Sequence, residues 1–386
     1  MLEGLNFIFS VLVGLFLLVL LVVLHELGHA IAARRNGVVV EEFGIGFPPR
    51  AWARKLKNGV LFTLNWLPLG GYVKLQGEHD VADKKGDYGA ASLWAKTKIL
   101  LAGVFINWIT AVVLFTGLAL VGLPKVIDNQ FTVASDTTEI RKPVTIVAVT
   151  EGSPADKVGL KAGDQIVRFA GQRLELPNDL SELTKQFKGS TVEVIYNRNG
   201  TEQIKRLTLR AENRDQQGYL GVSADQRTTY RSTWSAPIVG VALTGQITAV
   251  TLQGLGDMAG TFATGLVDKL NPSKDSQARA DEKLGEVGSG VAGPVAILGI
   301  LFPSAREAGL SALVFMTALI SLALAIMNIL PIPALDGGRW FVTMLFRVLK
   351  KPLTKELEEK IHGTGFMVLM GLFVLVTIAD VTKFGR

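Results

Sequence analysis

The sequence contains no cysteine, and that absence excludes a disulfide framework, a thiolate metal site and a cysteine nucleophile together. Any catalysis would have to use His, Asp, Glu or Ser, and only four histidines are present. Charge is also scarce: 19% of the 386 residues are Asp, Glu, Lys or Arg, against 48% hydrophobic, with mean hydropathy +0.34. The apolar residues are bunched into a few long runs, the pattern of a membrane protein with a soluble insert. No basic residue precedes the first run, so it lacks the positive n-region of a cleavable signal peptide and reads as an uncleaved anchor.

Four runs are long enough for a hydrocarbon core of about 30 Å, which takes roughly 20 apolar residues. They are Leu5 to Ala33, Ile99 to Gly122, Ser311 to Leu330 and Thr364 to Ile378. Lys and Arg accumulate on the cytoplasmic side of membrane proteins. From Arg34 to Lys98 there are 11 basic and 6 acidic residues, and from Arg339 to Lys360 there are 6 and 3. The segment Leu123 to Leu310 holds 21 of each. Two basic cytoplasmic loops therefore alternate with a neutral external segment, and both termini fall outside. Two further charge-free stretches, Trp234 to Gly256 and Val287 to Ala305, are rich in small and polar residues and read as weak spans or interfacial helices. The expected number of spans is about four.

Within the external segment, "PVTIVAV" and "TVEVIYNRNGTEQIKRLTL" alternate apolar and polar residues, with Asn199-Gly200 as a hairpin turn. "GSPA" and "GLKAGD" punctuate a short helix, Asn178 to Phe187 reads as a second helix, and "GYLGV" (Gly218 to Val222) as a closing strand. This order resembles a PDZ domain of the bacterial type. The resemblance implies a groove that takes extended peptide ends, C-termini among them, by strand addition.

His25 and His29 are four residues apart and so share one face of a helix, a spacing that suits two imidazoles on one zinc. Glu26 is beside them, placed to take a proton from zinc-activated water as general base. An unpaired glutamate in lipid is costly, and a bound cation compensates it. Two histidines leave such a zinc one protein ligand short. Apart from Asp380, the acidic residue in or at the edge of the other spans is Asp336, in "MNILPIPALDGGRW". There Pro331 and Pro333 interrupt the third span. Both His25 and Asp336 lie near the cytoplasmic end of their spans.

His25-Glu26-Leu27-Gly28-His29 taken with Asn328 to Gly337 resembles the site-2 protease family of intramembrane zinc metalloproteases, in its bacterial branch of the regulator-of-sigma-E type. "FGIGFPPR", "LPLGGYVKLQGE", the external insert and "SGVAGPVAI" extend the likeness over nearly the whole chain, with one PDZ domain where the sigma-E-regulating members carry two. The resemblance implies one Zn2+ per chain on His25, His29 and Asp336, with Glu26 as base. It places Asn328, Pro331 and Pro333, and the glycines Gly44, Gly46, Gly70 and Gly71, near the substrate. Glu41 to Leu75 would be a cytoplasmic re-entrant β-hairpin whose edge pairs with unwound substrate. His79 is expected in a solvated loop and His362 at the cytoplasmic end of the last span, neither as a ligand. Asn107 stands where the family has an Asn, but without the Gly-Pro that often precedes it.

The expected fold is a polytopic α-helical membrane protein with an inserted α+β PDZ domain. Its segments are the first span (1–37), re-entrant β region (38–98), second span (99–122), linker (123–142), PDZ domain (143–224), interfacial region (225–310), third span (311–338), cytoplasmic loop (339–363), and fourth span and tail (364–386). The expected function is cleavage of single-pass membrane proteins, of anti-sigma-factor or remnant-signal-peptide type, in the bacterial inner membrane, with lipids as further partners and no nucleic acid. Two other readings are a non-catalytic PDZ receptor or scaffold with a structural metal, and a transporter. The base beside the ligands speaks against the first, and ligand spacing that fits hydrolysis speaks against the second.

Overall fold

The computed structural model describes residues 2–213, 218–271, 273–289 and 293–384. They form two compact units, one of residues up to Leu118 together with those from Ala236 onward, the other Ala119–Ser235.

The first unit begins with helix α1 (Leu2–Arg35), an uninterrupted Leu- and Val-rich run. Arg34 and Arg35 in its last turn complement the helix dipole. Gly37, at φ +79°, stops it: the Val38 N–H reaches the Ala33 carbonyl at 2.9 Å and the Gly37 N–H that of Arg34 at 3.2 Å, a Schellman closure. Strands β1 (Val40–Lys55) and β2 (Leu61–Leu75) follow, joined through the Asn58-Gly59 turn. Their register is doubled. Ile45 pairs with both Leu64 and Gly71, and Gly44 with both Thr63 and Tyr72, because each strand folds back on the other near Gly46 and Gly70. Segments 71–75, 40–45, 61–64 and 52–55 thus lie side by side, with 71–75 on one edge. Helix α2 (Leu93–Val121) closes this part of the chain.

The second unit is built of short strands: β3 (Leu123–Pro124), β4 (Thr138–Arg141), β5 (Val144–Val149), β6 (Gln165–Phe169), β7 (Gln172–Arg173), β8 (Thr191–Arg198), β9 (Thr201–Thr208), β10 (Val222–Asp225) and β11 (Thr228–Arg231). Helices α3 (Pro154–Lys157) and α4 (Pro177–Gln186) interrupt them. One antiparallel sheet runs β10-β5-β6-β8-β9 with β7 on β6, and a second runs β3-β11-β4. Ile146, Ile166, Phe169, Leu183, Val194 and Tyr196 form the core beneath α4. Residues 214–217 of the expected PDZ segment lie outside the described residues. The closing strand is Val222–Asp225 rather than Gly218 to Val222: Gly218 and Gly221 sit at φ +74° and +78°, so that stretch turns before the chain pairs with β5.

The first unit resumes with α5 (Ala236–Leu270), α6 (Lys274–Ser289), α7 (Pro294–Ala296), a π-helical stretch (Ile297–Leu301), α8 (Phe302–Glu307), α9 (Leu310–Ile329), α10 (Asp336–Val348) and α11 (Lys355–Phe384). Residues 290–292 of "SGVAGPVAI" lie outside the described residues. Among the described residues five helices are long and apolar enough to cross a membrane. Four coincide with the four runs, and the fifth, α5, covers the stretch from Trp234 that had read as a weak span or an interfacial helix. The other such stretch is divided among α7, the π turn and α8.

Polar groups tie this divided segment to the long helices. The buried Asp380 carboxylate of α11 accepts the N–H groups of Gly293 (3.3 Å) and Ala296 (3.0 Å), capping α7. Phe302 packs where Gly14 leaves room on α1. Arg306 donates to the Asn6 carbonyl (3.0 Å) and Ser10 Oγ (2.8 Å), near the start of α1.

Candidate metal centre

One turn of α1 brings His25 and His29 onto the face turned to α2. The two helices meet closely there: a Cβ on Gly28 would lie 2.8 Å from the Ala102 carbonyl oxygen. A Cβ on Gly103 would lie 2.5 Å from His29 Nε2 and 2.6 Å from His25 Nε2, so the bare backbone of α2 leaves room for both imidazoles. His29 Nδ1 lies 2.7 Å from the Ile99 carbonyl, an acceptor only. Nδ1 therefore carries the proton and Nε2 presents its lone pair.

The third group comes from 307 positions further along the chain. α9 stops at Ile329, and the segment through Pro331 and Pro333 folds back so that Asp336 opens α10. That fold requires Gly337 and Gly338: a Cβ on either would collide with the carbonyls of Ile329 or Ile332. Asp336 Oδ2 then lies 3.0 Å from His25 Nε2 and 3.2 Å from His29 Nε2, and the two Nε2 atoms are 3.1 Å apart. Both histidines are buried.

These three donors suit zinc. Tetrahedral bonds of about 2.0–2.1 Å hold ligand atoms about 3.3 Å apart, close to the three edges measured here. The donor set, two imidazoles and one carboxylate, is that of catalytic rather than structural zinc. Among the described residues no other group of three His, Asp or Glu side chains converges in this way.

Glu26 points from α1 toward the β-sheet. A Cβ on Gly71 would lie 3.2 Å from Glu26 Cγ, and the backbone at Val73 is close to its carboxylate. The 71–75 edge therefore runs past the residue nominated as base. Gly44 is needed for packing within the same sheet, since a Cβ there would collide with the Tyr72 ring. Gly46 and Gly70, at φ +77° and +144°, make the bends that double the register.

Asn328 Nδ2 donates to the Leu324 carbonyl one turn back at 3.0 Å, and no hydrogen bond joins it to His25, His29 or Asp336. Pro331 and Pro333 shape the turn, and the Pro333 backbone fills the space left by Gly365 of α11. His79 lies in a loop, as expected, but is only partly solvated, with ring nitrogens 3.9 Å from Glu358 and 3.5 Å from Glu359. His362 Nδ1 accepts the Ala334 N–H at 3.3 Å, behind the Asp336 loop. Beside Asp336 opens a cavity of about 260 Å³, whose walls include His79, Arg339, Glu358 and His362. The Ile99 carbonyl and Gly103 had not been singled out from sequence. The available signal was a glycine in the second span four residues before Asn107, the spacing at which helix surfaces meet.

Comparison with known proteins adds a separate line of evidence. Residues 13–372 match the profile of peptidase family M50. A protein of Clostridium acetobutylicum that carries the name zinc metalloprotease is 30% identical, with 97% of each chain covered. The zinc metalloprotease RasP of Geobacillus kaustophilus is 27% identical over 94% of this chain and 96% of its own. Among solved structures, the PDZ domain of an SdrC-like protein from Listeria monocytogenes covers 24% of this chain and 93% of its own, at 24% identity and TM-score 0.19.

Proposed function

The chain belongs to peptidase family M50, the zinc metalloproteases of the site-2 protease type, and from that membership we propose that it cleaves single-pass membrane proteins within or near their spans. The observation that carries the site assignment is the triangle of His25, His29 and Asp336 with Glu26 beside it. One zinc per chain would be held by those three side chains. Zinc, when bound, supplies Lewis acidity that lowers the pKa of water and polarises a carbonyl.

The chain's own residues account for the rest. Glu26 takes the proton of the attacking water and returns it to the leaving amine as the peptide C–N bond breaks. A helical substrate hides its carbonyls in i to i−4 hydrogen bonds and must be unwound before attack. The 71–75 edge beside Glu26 offers an unwound segment new backbone partners by strand addition. Gly71 in this edge leaves room for the Glu26 side chain beside it. The β1–β2 sheet would then be the re-entrant element on the cytoplasmic side. Anti-sigma factors already trimmed outside and remnant signal peptides are the substrate types in view, and the Ala119–Ser235 unit would be a PDZ-type module that meets peptide ends outside.

Four crossings fit the contacts better than five. The segment 293–307 bonds to Asp380, near the far end of α11, and to Asn6 and Ser10, near the start of α1. Those are the external ends of both helices under the charge-derived topology. α5 also begins outside, and α6, with seven charged residues in 16, is too polar to return through lipid. α5 and α6 would therefore form an external or interfacial hairpin.

Glu26→Gln is the direct test. It is expected to keep zinc and bound substrate while abolishing cleavage of a model single-span protein in proteoliposomes. Cleavage at the wild-type rate would refute the role of Glu26. Zinc at one per chain without chelator-sensitive proteolysis would favour the scaffold reading.

A further inference from the structure

Asn107 is fully buried in α2, and the chemistry above leaves it without a task. It stands on one stripe with Ile99 and Gly103, each four residues apart, and that stripe passes both histidines. The Ile99 carbonyl accepts a hydrogen bond from His29 Nδ1–H, and Gly103 leaves the space for both rings. One turn further on, Asn107 Nδ2 lies 3.4 Å from His25 Nδ1, while its Oδ1 is buried without a partner.

His25 Nε2 faces Asp336 Oδ2 and His29 Nε2, so a lone pair used there leaves the proton on Nδ1. An N–H opposite an NH2, with the amide oxygen buried and unpaired, leaves two polar groups unsatisfied at once. Turning the amide by 180° exchanges its nitrogen and oxygen, an exchange that heavy-atom positions do not distinguish; it pairs the amide oxygen with the His25 N–H and moves the amide nitrogen to the place the oxygen held. The Asn107 backbone is held in place from a third helix, because its carbonyl accepts the Ser321 hydroxyl of α9 at 2.8 Å.

We propose that Asn107 is a positioning residue: its Oδ1 accepts a hydrogen bond from His25 Nδ1–H and so fixes the tautomer and ring plane that present Nε2 to zinc. α2 would then supply the outer acceptor for both histidines, a backbone carbonyl for one and a side-chain amide for the other. This rests on His25 being a zinc ligand.

The test is zinc affinity of the full-length protein in detergent, read by competition with a chromogenic chelator. Asn107→Leu is expected to weaken zinc binding by about 10–100-fold. Asn107→Asp, which keeps an acceptor at the same reach, is expected to stay within about threefold of wild type, a rescue that a packing role would not produce. If the Leu variant does not fold, Asn107→Ser, too short to reach Nδ1, is measured in its place with the same expectation. Wild-type affinity in the Leu or Ser variant, or a loss in the Asp variant equal to that in Leu, would overturn the proposal. His25→Ala binding zinc as tightly as wild type would instead overturn the ligand assignment beneath it.

Discussion

At Gly103 a single methyl group separates two states of the histidine pair. A Cβ there would stand 2.5–2.6 Å from both Nε2 atoms, so the rings could not keep the positions that face Asp336. Alanine is nonetheless the better helix former by about 1 kcal/mol, and without metal the rings can swing aside. Gly103→Ala is therefore expected to keep the melting temperature of the zinc-free protein within a few degrees while zinc affinity falls by at least tenfold, measured by chelator competition. A collapse of the zinc-free fold with no change in affinity would contradict this. His25, Glu26, His29 and Asp336 were legible in the sequence because ionisable groups are rare and costly in apolar runs. Gly103 and the Ile99 carbonyl were not, since an absent side chain and a main-chain oxygen carry no chemical mark.

Elements followed the sequence where their period was clear and departed from it where turn chemistry or tertiary pairing intervened. The Asn199-Gly200 turn joins β8 and β9 as a hairpin, as expected, with Arg198 opposite Thr201, whereas Gly218 and Gly221 turned an expected strand into a loop. The doubled pairing of β1 and β2 could not be read from alternation, which specifies faces and not neighbours. Within the second unit, one ion pair joins β8 to the turn before β6. The buried Asp164 carboxylate accepts from Arg198 Nε at 2.6 Å and Nη2 at 2.7 Å, and from the Lys161 N–H at 2.8 Å. Burial alone would raise the Asp164 pKa, but the Arg198 bonds outweigh it and hold the carboxyl below its ordinary value. A folded pKa below the unfolded one, about 3.9, gives stability that is present above that pH and lost as pH falls through the folded value. Hydrogen exchange of β6 and β8 amides in the full-length protein, corrected for intrinsic rates, is expected to show constant stability from pH 7 to 5 and decline below about 4. Arg198→Met leaves the carboxylate buried with only the Lys161 N–H on it. It is expected to cost about 1–3 kcal/mol at pH 7 and to reverse the slope, because protonation then relieves the site.

For the whole molecule, the absence of cysteine makes topology directly measurable. Single cysteines at Asn58, Asn199, Asn271 and Lys351 report on the β1–β2 turn, the β8–β9 turn, the α5–α6 connection and the segment before α11. Asn199 and Asn271 are expected to react with an impermeant maleimide in intact cells, and Asn58 and Lys351 only after permeabilisation. Labelling of Asn271 only from the inside would mean that α5 crosses, and the four-crossing reading would fall. Length and hydropathy admit α5 as a span. The contrary argument comes from contacts of 293–307 with Asp380, Asn6 and Ser10, which no local property of α5 contains.

The sequence by itself determined the membrane character, the basic loops, the presence of an α+β insert and the four ionisable residues of the candidate site. Each follows from the cost of placing charge or polar backbone in lipid, which composition and local period register directly. Tertiary structure alone decided which donors converge, at what distances, which strand edge lies beside Glu26, and which α2 groups face the imidazoles. Those depend on how helices far apart in the chain approach one another, and a close approach is set by what both surfaces leave empty.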